Sequence, residues 1–231
     1  MRDFLQGGNF SKGLKLSAAC LVLFIPNLAW KYFIGYSDYV QRILLPGERL
    51  SRFVVDIFMI WVAMQISATA GYAWAKGPRL AGAGNWNDLR SNLKLILILG
   101  IAISAVEAVF FDFWILRPFF KAVPRNPFTS CAYVVEELIC RFGILIITYR
   151  LTGSITASVL AAAVFNVGAG LQTVYFAGAR PAIGLVSVAA AKAFVLAVFF
   201  GYFFARKGLL PTMALRFIIG LKFAVYAFID F

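Results

Sequence analysis

Seven apolar runs, each long enough to cross a bilayer, follow one another with little chain between them. A spanning helix needs about 20 predominantly apolar residues. The runs fall at about residues 15–35, 53–75, 93–116, 130–150, 154–178, 182–205 and 209–230. Nothing the size of a soluble domain is left over, so residues 1–231 read as a single integral membrane domain. Inside lipid, backbone polar groups have to be satisfied within a helix or around a closed barrel. The apolar–polar alternation of barrel strands is missing. The expectation is therefore an all-α, polytopic transmembrane helix bundle of about seven spans. Composition agrees, with 62% of residues hydrophobic and 14% charged, against about half and a quarter in soluble domains.

The formal charge of +12 would suggest nucleic acid in a soluble chain. Here the basic residues lie mostly between apolar runs, where they meet lipid phosphates. The expected partner is the bilayer, not nucleic acid. Assigned to alternating sides of seven spans, ten Lys and Arg fall on the N-terminal side and eight on the other. The difference favours a cytoplasmic N-terminus. The basic flank of Arg2, Lys12 and Lys15 ahead of the first run resembles a signal peptide. No small-x-small cleavage site precedes Trp30, so the run is read as a retained span.

Among the connections, residues 75–94 are expected to form an exposed loop. Residues 39–53 read as a short interfacial helix and 117–128 as a segment lying on the membrane surface. Cys20, Cys131 and Cys140 have neither CxxC spacing nor histidine company, because the chain contains no histidine. They read as small buried hydrophobes. Aromatic residues, 16% of the chain, gather near span ends as interfacial belts do. No P-loop, dinucleotide fingerprint or nucleophile elbow is present, and no cofactor or metal is expected.

The spans enclose Asp56, Glu107, Asp112, Glu136, Glu137, Arg141, Lys192, Arg216 and Lys222. An ionisable group in a membrane span costs on the order of 3 kcal/mol on insertion scales and calls for a partner or a function. Asp56, Asp112 and Lys222 lie near enough to span ends to snorkel or meet water. The others do not. Glu137 and Arg141 are four residues apart with the acid first, the favourable order for a pair on one helix face. Glu136 is rotated about 100 degrees away and shares a face with Cys140 and Gly143. It needs a partner from another helix. Lys192, in an alanine-rich stretch, is expected to pair with Glu107 or Asp112, or to contact a partner or ligand.

The segment "EELICRFGIL", residues 136–145, resembles the EExxxR signature of the CPBP family, the CAAX-processing and bacteriocin-protection membrane proteins. That family includes intramembrane endopeptidases that act on prenylated CAAX proteins. Two later segments resemble its further motifs in order and spacing, so the likeness covers about residues 130–222. In "LTGSITASVLAAAVFNVGAG" Asn166 stands at the family's first histidine and Ala162 at the phenylalanine before it. In "GYFFARKGLLPTMALRFIIG" Arg216 stands at the second histidine and Gly220 at the following Asn or Asp.

The resemblance implies a site made of Glu136, Glu137, Arg141, Asn166 and Arg216, with the first glutamate activating a water. The substitutions change its chemistry. An amide cannot shuttle a proton, and a guanidinium stays protonated and cannot serve as a general acid. A salt bridge from Glu136 to Arg216 is expected in place of the hydrated centre. The favoured reading is a non-catalytic CPBP-like protein, a scaffold, chaperone or subunit among other membrane proteins. The alternatives are a glutamate-dependent intramembrane endopeptidase with an atypical Glu/Asn/Arg site, acting on a membrane-associated peptide, and a small channel or transporter.

Overall fold

The computed structural model describes residues 7–35, 46–75, 80–115, 126–176 and 182–227. Helix accounts for nearly all of them, and there is no β-strand among them. The helices are α1 (Gly7–Ala29), α2 (Pro46–Trp74), α3 (Trp86–Val106), α4 (Thr129–Glu137), α5 (Ile146–Thr152), α6 (Ile155–Phe176), α7 (Ile183–Lys207) and α8 (Leu209–Tyr226). Three π-helical stretches extend them without a break. Trp30–Gly35 prolongs α1, Glu107–Ile115 prolongs α3, and Leu138–Leu145 joins α4 to α5. The result is seven continuous rods, each on one expected span.

Five stretches are long and apolar enough to cross a membrane: Gly7–Ile34, Gly47–Trp74, Trp86–Phe113, Ile183–Lys207 and Leu209–Tyr226. The rod at 129–152 carries Glu136, Glu137 and Arg141, and the apolar part of α6, Ile155–Leu171, is shorter. The chain is thus an all-α bundle of membrane-protein type.

Two connections differ from expectation. Residues 46–53 are the first turns of α2 and not a separate surface helix. Pro46 at the first helical position has no N–H to leave unsatisfied, and propagation from it is unimpeded. Residues 39–45 lie outside the described residues, as do 76–79 and 117–125. The described part of the 75–94 connection is pinned, not free. Ala81 N–H donates to Ala205 C=O (3.1 Å), and Leu209 and Leu210 N–H donate to Gly82 and Ala83 C=O. Gly208, at φ 86°, makes this close approach possible, since a Cβ there would meet Gly82 O and Gly84 N at 3.2 Å. The loop's end is closed by a capping box between Asn85 and Asp88, which starts α3 a full two turns before its apolar run. The Gly-Ser turn after α5 is as expected, with Gly153 at φ 66° ending the helix.

Small residues set the helix spacing, as they do where helices pack without a hydrophobic gradient between them. Gly13 lies against Thr69, Gly71 against the Phe142 ring, Gly100 against Ile218 and Gly201 against Val159. The closest approach to another helix's backbone is at Gly220 of α8, where an added Cβ would sit 2.7 Å from Ser130 Cα and 2.9 Å from Tyr133 Cδ2. Backbone cannot yield as a side-chain tip can. Gly220→Ala is therefore expected to cost about 3 kcal/mol by overpacking, read as a lower melting temperature in detergent. Unchanged melting would mean that α8 and α4 are not in contact there. The same contact explains why an Asn or Asp has no room at this position.

Candidate functional site

The rod 129–152 packs along helix α8, and the span charges other than Asp56 gather in two clusters, to each of which α8 contributes a cation. Both are built from two acids and two cations.

The first cluster contains every residue of the expected EExxxR site. Arg141 Nε lies 3.0 Å from Glu137 Oε2, and both side chains are fully buried. This is the in-helix pair that the spacing predicts. Arg216 Nη2 of α8 lies 2.6 Å from Glu136 Oε1, and its Nε lies 3.3 Å from Glu137 Oε1. The guanidinium thus bridges the glutamate pair. It is also sandwiched between aromatic faces, 3.9 Å from the Tyr133 ring centroid and 4.8 Å from that of Phe200. A planar cation suits such a slot better than an ammonium would. Asn166 of α6 donates through Nδ2 to the same Glu136 Oε1, and its amide nitrogen is 3.8 Å from Cys140 Sγ. Glu136, Cys140 and Asn166 therefore meet, as the shared face of the two helix residues requires.

Burial is uneven. Glu137 and Arg141 are wholly enclosed, whereas the Glu136 side chain keeps 28% of its surface exposed. The Arg141 terminal nitrogens and Glu137 Oε1 make no hydrogen bond among the described residues. The Glu137–Arg141 pair is held by charge and a single N–H···O contact.

The second cluster lies about 1.7 turns further along α8, from Arg216 to Lys222. Lys192 Nζ of α7 lies 3.1 Å from both Glu107 Oε1 and Asp112 Oδ1. Lys222 Nζ of α8 lies 2.9 Å from Glu107 Oε2 and 2.6 Å from Asp112 Oδ2. Tyr226 donates its hydroxyl to Asp112 Oδ2 (3.2 Å). Lys192 was expected to pair with Glu107 or Asp112, and it pairs with both. Asp112 and Lys222 correct the expectation that they snorkel, since both are buried in the cluster. Asp56 lies ten residues into α2 and not at its start, partly exposed, with Arg52 at 3.3 Å and the Tyr32 hydroxyl donating to it.

The π-helical stretch explains why the pairing of both acids is not visible in the sequence. In an α-helix, residues five apart point about 140 degrees away from each other. Hydrogen bonds from i to i+5 widen the turn and bring such residues towards one side. Glu107 and Asp112 bracket this wider turn and reach the same two lysines.

Fold and site together define an all-α membrane-type bundle with two compact clusters of buried or partly buried charges, each of two acids and two cations. Comparison with family models, with curated protein sequences and with solved structures returns no match for the chain.

Proposed function

We propose that the chain is a non-catalytic, CPBP-like integral membrane protein that works by binding other membrane components, as a scaffold, chaperone or subunit of a membrane complex. One observation carries the reading. Glu136 Oε1 is held at once by the Arg216 guanidinium and the Asn166 amide. One of the two carboxylate oxygens that could take a proton from water is thus already engaged by a permanent cation and an amide N–H. No imidazole exists in the chain to pass a proton onward. In this reading the chain crosses the membrane seven times, with the N-terminus in the cytoplasm.

Purified in mild detergent from its native membrane, the protein is expected to bring a membrane partner in fixed stoichiometry and to leave a farnesylated CAAX peptide uncut. A protein that comes alone and cuts that peptide, with cutting abolished by Glu136→Gln, would replace this reading with the atypical endopeptidase. The exposure of Glu136, 28% of its side chain, is what supports that second reading.

A further inference from the structure

A third group of charges stands apart from the two clusters, where the end of the first rod meets the start of α2. Gly13 lies against Thr69 and the Tyr32 hydroxyl donates to Asp56, so the two rods run antiparallel. Asp56 is held by that hydroxyl and by Arg52 Nε at 3.3 Å. Lys31 completes the group, its Nζ 5.5 Å from the Tyr32 ring centroid. It makes no ion pair among the described residues, and the charges that act on it are those of Asp56 and Arg52.

We propose that Lys31 and Arg52 bind the phosphodiester of an anionic phospholipid. The first argument is charge balance. Each of the two deeper clusters holds two acids and two cations and sums to zero. Here two cations share one acid, Asp56, which leaves one positive charge over. Glu48 and Arg49, the turn before, cancel each other. An anionic phosphodiester closes the balance, and a zwitterionic headgroup does not.

The second argument is depth. Helix α2 has 29 residues and is about 43 Å long, against about 30 Å of hydrocarbon. Centred on the core, it leaves about four residues at each end in the headgroup layer. Arg52, the seventh residue of α2, lies about 4 Å below that boundary, within the reach of its own side chain. Lys31 sits at the matching depth, four residues before the first rod ends at Gly35.

The third argument is shape. Asp56 takes the Arg52 Nε–H, yet the Arg52 side chain is still 59% exposed. A guanidinium has further N–H donors, and its fork matches a phosphate. Below Arg52 on the same face of α2, three and seven residues on, Val55 and Met59 are exposed and give an acyl chain an apolar track.

The test titrates phosphatidylglycerol and phosphatidylcholine of identical acyl chains into the delipidated full chain in a neutral detergent, with bound lipid counted by native mass spectrometry. The first phosphatidylglycerol is expected to bind about tenfold more tightly than the first phosphatidylcholine. Lys31→Gln with Arg52→Gln should remove that preference, and Lys31→Arg, which keeps the charge, should retain it. Asp56→Asn doubles the surplus charge and should tighten phosphatidylglycerol binding. Arg90→Gln with Lys94→Gln takes the same charge from the exposed start of α3 and should leave the preference intact. Equal binding of the two lipids, a Lys31/Arg52 variant that binds like the native chain, or an equal loss in the Arg90/Lys94 variant would each overturn the proposal. Full competition by inorganic phosphate at equal concentration would also overturn it, since the site would then take the free ion and not a headgroup. None of these readouts depends on Glu136, so they stand apart from the test of the proposed function.

Discussion

Arg216→Ala is expected to destabilise the bundle by about 3–5 kcal/mol, the usual result of removing one partner from a buried ion pair. The guanidinium is the nearest cation to Glu136 Oε1 and touches Glu137 Oε1 as well. Without it two adjacent glutamates share Arg141 alone. The aromatic slot between Tyr133 and Phe200 would also be left empty. Thermal unfolding in detergent reads the loss. Arg216→Lys should fall in between, because an ammonium keeps the charge but cannot span both carboxylates and lie flat between two rings. Pairing Arg216→Leu with Glu136→Gln should recover part of the stability. If Arg216→Ala melts like the native chain, the salt bridge is not what holds α8 to α4.

Asp112→Ala should produce a loss of similar size, about 3–5 kcal/mol, from the second cluster. Asp112 receives Lys192 at 3.1 Å, Lys222 at 2.6 Å and the Tyr226 hydroxyl at 3.2 Å. Its removal leaves two ammoniums facing Glu107. The informative comparison is the double variant Asp112→Leu with Lys222→Leu, which restores neutrality and fills the space with apolar atoms. It should melt above Asp112→Ala, because a neutral apolar replacement of a buried pair is often tolerated where a lone charge is not. A double variant no better than the single one would show that the hydrogen bonds, and not the charge balance, matter.

The seven rods are legible from hydropathy alone, because a 20-residue apolar run has few other ways to satisfy its backbone in lipid. The Glu137–Arg141 pair follows from i,i+4 spacing, and the meeting of Glu136, Asn166 and Arg216 was expected from the order of the three motif-like segments. The rest depends on geometry that sequence periodicity misplaces. An α-helical reading sends Glu107 and Asp112 to different faces, and the π-helical turn undoes that. Lys222 and Tyr226 share a face of α8 by their four-residue spacing, a signal that was there to be used. Tyr133 and Phe200 were indistinguishable from the many other aromatics until the guanidinium was seen between them. The start of α3 was hidden by polar residues that cap a helix instead of forming a loop.

Helix α8 supplies one cation to each cluster, Arg216 to the first and Lys222 to the second. It is also the last described helix to emerge during synthesis. Until it arrives, Glu136 and Glu137 have only Arg141, and Glu107 and Asp112 have only Lys192, so each group carries one surplus negative charge. On the seven-span reading proposed above, biogenesis is therefore not a sequence of independent insertions. The earlier spans wait, under-neutralised, for a single late segment that discharges both debts together, and a nascent chain stalled before residue 209 presents quality-control machinery with two uncompensated acids inside the bilayer.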